Sequence, residues 1–128
     1  MDLQQTTDLG IAYHIALDEM IHGRGTEEHW STVACALNIT LVLAERVKKG
    51  VPGWIELTNR ALAGVVRSRD RARRVGAWGF DGEALADVKE ALVLHDEQMA
   101  IFNKGEIMAA LAEVHRRIDA GEVLKEAA

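Results

Sequence analysis

Proline occurs once in this 128-residue chain, cysteine once, and aromatic residues make up only 5% of it. With a single proline there are few enforced breaks in helical structure. With a single cysteine no disulfide can form within the chain. Cys35 lies among Val33, Ala34, Ala36 and Leu37, the setting of a small buried hydrophobe, and a reducing, cytoplasmic compartment is the expectation. Residues Met1 to Asp8 offer neither the basic nor the apolar region of a secretory signal. The richest apolar stretch, 33–44, is too short to span a bilayer and carries Asn38 and Thr40, so no membrane association is expected. Positive charge is also in deficit, with 15 Lys and Arg against 20 Asp and Glu and a net charge of −5. Nucleic-acid binders carry a positive excess to meet the phosphates, so that class is disfavoured.

Catalytic signatures are missing as well. Neither Ser31 nor Ser68 sits in a glycine elbow. No glycine-rich phosphate loop follows a strand, because no strand can be read. The expectation is therefore a protein that is not an enzyme and needs no cofactor.

What the sequence does hold is helical periodicity. Five segments are predicted, at about 8–22, 27–49, 53–74, 82–103 and 105–120, within one domain covering 1–128. In the first, Tyr13, Ala16, Leu17 and Met20 form the apolar stripe. The second has Trp30, Val33, Ala34, Leu37 and Leu41 on one face, and Ile39, Val42 and Leu43 extend it nearly all round, which predicts a central position. Trp54, Thr58, Ala61 and Val65 mark the third. Leu85, Val88, Leu92, Met99 and Phe102 mark the fourth, and Ile107, Leu111, Val114 and Ile118 the fifth. Thr26 and Asp81 are predicted N-caps, and Asn103 and Glu106 have near capping-box spacing. Short connections predict an all-α, antiparallel bundle of four long helices plus a shorter C-terminal one.

The most distinctive local feature is Arg67-Ser68-Arg69-Asp70-Arg71-Ala72-Arg73-Arg74, which holds five of the ten arginines. On a helical wheel Arg60, Arg67, Arg71 and Arg74 fall within roughly 60° of one another, away from the apolar stripe. After a turn at 76–82, Glu83, Asp87, Glu90 and Glu97 form a similar acidic stripe. A hairpin folded about Trp78/Gly79 would place Arg74 opposite Glu83, Arg71 opposite Asp87, Arg67 opposite Glu90 and Arg60 opposite Glu97. Exposed pairs of this kind contribute about 0–1 kcal/mol each, so they set register and solubility more than stability. The same stripes could meet across an oligomer interface or grip a protein partner, or the arginines could capture an anion or nucleic acid. Trp78 either plugs the turn or protrudes as an aromatic anchor.

A second candidate lies on the first helix. His14, Asp18 and His22 share a face at spacings of four, and such a trio suits zinc or another divalent ion. The outer two are about 12 Å apart along the axis, so one ion would need help from His29, His95 or His115. His95 and Asp96 form a nominal acid–base pair, but adjacent helical residues point in different directions.

The stretches His29-Trp30-Ser31-Thr32-Val33-Ala34 and Gly76-Ala77-Trp78-Gly79-Phe80-Asp81-Gly82 resemble parts of small uncharacterised helical proteins of proteobacterial genomes, prophages and plasmids. The resemblance implies an accessory role, such as inhibiting or modulating a host protein, and transfers no site. The resulting expectation is a non-enzymatic, homo-oligomeric interaction module. Arg60, Arg67, Arg71, Arg74 and Trp78 would bind a protein partner. The alternatives are a metal- or small-ligand-binding domain using His14, Asp18 and His22, and an anion or nucleic-acid binder using the arginines.

Overall fold

The local signals that start and stop helices divide this chain cleanly. A computed structural model describes residues 3–47 and 53–121, with side chains from residue 11 onward. Among the described residues there are five helices and no strand: α1 Leu3–Ile21, α2 Glu27–Arg46, α3 Trp54–Val75, α4 Gly82–Ile101 and α5 Lys104–Asp119. The architecture is an all-α bundle.

Each of the expected caps is in place. Thr26 accepts from the His29 N–H, and His29 Nδ1 accepts in return from the Thr26 N–H, closing a reciprocal box at the start of α2. Asp81 accepts from the Ala84 N–H at 2.7 Å. Asn103 and Glu106 form a full capping box, so α5 begins at Lys104. Gly76 ends α3 in the left-handed conformation, φ 74°, where a side chain would be strained. Three boundaries depart from the periodicity. α1 starts at Leu3, because Leu3, Gln4 and Gln5 are good helix formers that carry no stripe. α4 stops at Ile101, because Phe102 is extended and Asn103 must be free to cap the next helix. α2 ends at Arg46 with Val47 extended; the expected continuation to Lys49 and the role of Pro52 lie outside the described residues.

α2 touches all four other helices, as its wide apolar surface predicts. Its first half builds one core, where Trp30, Val33 and Leu37 meet Leu17 and Met20 of α1, Val65 of α3, and Val88 and Leu92 of α4. Its second half builds another, where Ile39, Val42 and Leu43 meet Met99 and Ile107, Ala110 and Val114 of α5. Cys35, half-buried rather than fully buried, packs against this second cluster. Trp30 Nε1–H donates to the Val65 carbonyl at 3.0 Å, tying α2 to α3 inside the first core. Polar residues within α2 satisfy themselves: Asn38 and Thr40 donate to the carbonyls of Ala34 and Ala36 one turn back.

Candidate interaction surface

The arginine run of α3 and the turn that follows it meet the α1–α2 turn at one end of the bundle. The connection from α3 to α4 does not simply reverse. Residues 77–81 form no regular element and lead back along α3, and Ser68 Oγ–H donates to the Gly79 carbonyl at 2.6 Å. Asp81, held there by its cap to Ala84, then accepts from Arg67 Nε at 3.0 Å. This hydrogen bond, followed by the one from Ala84, holds the Asp81 carboxyl below the usual carboxylate range.

α4 therefore starts beside Arg67 and Ser68, two turns before α3 ends. The charge register expected from the sequence is corrected accordingly. Arg60 Nε lies 3.6 Å from Asp87, not opposite Glu97, and Arg67 pairs with Asp81, not Glu90. Arg71 does not meet Asp87 and Arg74 does not meet Glu83. Asp87, expected on an outward acidic stripe, has only 17% of its side chain exposed. The small-residue contact between the two helices agrees: a Cβ at Gly64 would stand 2.5 Å from the Ala84 Cβ. These contacts descend α3 as they climb α4, so this pair is antiparallel.

The last two turns of α3 are left projecting beyond the start of α4. Arg71 and Arg74 are exposed there, and neither side chain takes an ion pair or hydrogen bond among the described residues. Beside them is a cleft of about 410 Å³ between the 76–80 segment and the end of α1. Arg71 lies on it, Met20, Ile21, Phe80 and Leu85 supply apolar walls, and the exposed Gly23 and Gly76 also line it. Gly25 is required for the closure, since a Cβ would approach the Trp78 carbonyl oxygen to 2.4 Å.

Trp78 is half-buried and leans on Trp30, with ring centroids 5.7 Å apart and planes tilted by 51°. It is a plug whose edge lines the cleft; the alternative of a protruding anchor is corrected. Arg60 belongs elsewhere, on a groove of about 420 Å³ toward the other end of α3, which Glu90 and Glu97 also line. The five residues expected to act together are thus divided. Arg71 and Trp78 share a cleft, Arg74 is near it on the free end of α3, Arg67 anchors the turn, and Arg60 is remote.

Of His14, Asp18 and His22 only the last two meet, with His22 Nδ1 3.3 Å from Asp18 Oδ1. His14 turns away and donates from Nε2 to Asp96 of α4 at 2.7 Å. His22 Nδ1 bonds the Asp18 carbonyl at 2.8 Å, and Arg24, bound to Glu19, also approaches Asp18. Among the described residues no group of three or more His, Cys, Asp or Glu could hold a metal ion. The geometric reason is that His14 serves a helix–helix contact with Asp96, which leaves His22 and Asp18 as a pair within α1. No described helix is long and apolar enough to cross a membrane.

Comparison of the chain with family models, curated proteins and solved structures finds no match.

Proposed function

We propose that this protein is a non-enzymatic helical interaction module that binds a protein partner, a second copy of itself included, through the projecting end of α3 and the adjoining cleft. The observation that carries this reading is the pair Arg71 and Arg74: two exposed guanidinium groups without internal partners, in a protein of net charge −5. Arginine is well suited to a carboxylate-bearing surface because its planar fork binds bidentately. A second copy can offer such a surface in Glu83, Glu90 and Glu97, which recur every two turns on α4 and are exposed. The cleft beside Arg71 adds apolar walls, and interfaces set such an apolar centre within a polar rim. An accessory role in a mobile element, modulating a host protein, fits the same surface chemistry.

The test is light scattering coupled to size-exclusion chromatography at low and at high salt, on the natural chain and on the double variant Arg71→Glu/Arg74→Glu. The expected result is an associated species whose mass falls with salt and with the reversal, because exposed charges are screened beyond about a Debye length of 10 Å at 0.1 M salt. Both positions are exposed, so the unfolding midpoint should hold within about 0.5 kcal/mol. Mass unchanged at high salt with both arginines reversed refutes the electrostatic role. A monomer at every concentration in low salt refutes self-association.

A further inference from the structure

α1 is joined to α4 by few contacts, and they are of an unusual kind. His95 of α4 is 1% exposed. The Tyr13 ring of α1 stands edge-on to it, with centroids 4.9 Å apart and planes at 89°. His95 Nδ1 is buried without a hydrogen-bond partner, its nearest acidic atom being Asp96 Oδ1 at 3.5 Å. The other oxygen of Asp96 accepts from His14 of α1 at 2.7 Å. One carboxylate thus stands between two imidazoles, one half-exposed on α1 and one sealed inside α4.

We propose that Tyr13, His95, Asp96 and His14 form an acid-responsive latch that holds α1 against α4 and lets α1 go as the pH falls. The neutral imidazole of His95 is what the site accommodates. Burial, opposed by Asp96 and reinforced by the charge of His14, keeps the His95 pKa below its ordinary value. From α1 the titratable groups bearing on the seam are Tyr13 and His14, from α4 itself Asp96, and from α2 Cys35, which acts on Tyr13. Among the described residues Asp96 is the one carboxylate acting on His95. When both imidazoles carry protons they share the single charge of Asp96, and the ring of His95 is sealed from solvent.

The sign follows from the lowered value. The unfolded or detached helix takes the proton first, so the latch is fully closed above about pH 6.5 and weakens as pH falls below that. One pH unit below, the detached form gains at most about tenfold in population. Met20 and Ile21 of α1 line the cleft, so release of α1 removes one of its walls. Only that consequence rests on the proposed function; the release itself stands without it.

The experiment is amide hydrogen exchange at about pH 7.5 and about pH 5.5, corrected for intrinsic rates, on the natural chain and on His95→Met. The expected result is a loss of protection confined to α1, approaching tenfold, that His95→Met abolishes and His22→Gln leaves intact. Equal loss across α1 to α4, or the same loss in His95→Met, overturns the latch. Should His95→Met fail to fold, the ring signals of His95 in the natural chain decide. Titration at the ordinary value with α1 still protected overturns the proposal, and titration below it in step with loss of α1 protection supports it. Neither outcome depends on whether the chain self-associates.

Discussion

Replacement of Gly64 by alanine tests the register of the α3–α4 hairpin directly. In an exposed helix interior, Gly→Ala stabilises by about 1 kcal/mol through lost chain entropy. Here the new methyl group would lie 2.5 Å from the Cβ and 3.1 Å from the Cα of Ala84. Ala84 is fully buried and its backbone is part of α4, so neither atom can swing aside. The helices must separate, yet Arg67–Asp81 holds them on one side, and the adjacent Val65 carbonyl is bound to Trp30. Overpacking of this kind costs about 1–3 kcal/mol. Set against the propensity gain, with the constraints favouring the upper end, Gly64→Ala should lose about 1–2 kcal/mol, and the melting temperature should fall by roughly 3–5 °C per kcal/mol. Ala84→Gly removes the opposing methyl. Alone it should cost about 1 kcal/mol in helix propensity, and in the double variant the pair should couple favourably by about 1–3 kcal/mol. Urea unfolding of the four proteins measures the cycle. A more stable Gly64→Ala protein, or strictly additive losses, would refute the contact. In the charge register read from sequence Gly64 instead faces Val93, which is 54% exposed.

Gln98 donates to the Thr40 carbonyl at 3.1 Å but leaves its own Oε1 buried and unpartnered. Gln98→Met should therefore change stability by less than about 1 kcal/mol, whereas Gln98→Ala, which opens a cavity, should cost about 2–4 kcal/mol; denaturant midpoints distinguish them. Burial, reinforced by Cys35, pushes the Tyr13 hydroxyl up to about 12 from 10. Its neutral form is favoured in the fold, so that contribution is present below pH 10 and is lost as pH rises toward 12. Up to about 2–3 kcal/mol should go over this window in the natural chain and be missing in Tyr13→Phe, as followed by urea unfolding at alkaline pH. Gly25→Ala sets a methyl group against the Trp78 carbonyl and should lower stability by about 1–3 kcal/mol while reddening Trp78 emission as the cleft opens; unchanged fluorescence would contradict the closure described.

Much of the fold was legible because its signals are local. A cap needs one side chain and one amide three residues away, and Thr26, Asp81 and Asn103 all act where spacing places them. The centrality of α2 followed from an apolar surface too wide for a helix with one buried face. The hairpin register was not legible. Charge spacing assumes that the turn adds length evenly, but residues 77–81 double back to Ser68. Nothing in a helical wheel encodes that path. The signal that could have found it is small: Gly64 on α3 and Ala84 on α4 let two backbones approach, which fixes the crossing more firmly than any exposed ion pair.

The candidate sites were legible in composition and illegible in grouping, for one physical reason. An arginine stripe on an isolated helix can be read from sequence, but which of its members remain available depends on where the neighbouring helix begins. Because α4 starts alongside Arg67, Asp81 and Asp87 are taken by Arg67 and Arg60, and Arg71 and Arg74 are left on the part of α3 that extends past the start of α4. The buried seam has the complementary explanation. His95 occupies the slot between Leu92 and Met99 in the apolar stripe of α4, so the spacing that marks a core position also marked this histidine. Read as half of an acid–base pair with Asp96 it looked accidental, since neighbours on a helix diverge. Their divergence is what lets the imidazole enter the core while the carboxylate reaches out to His14. A polar residue on a core stripe, followed directly by a charged one, is thus a readable sign of a helix–helix contact with an electrostatic edge.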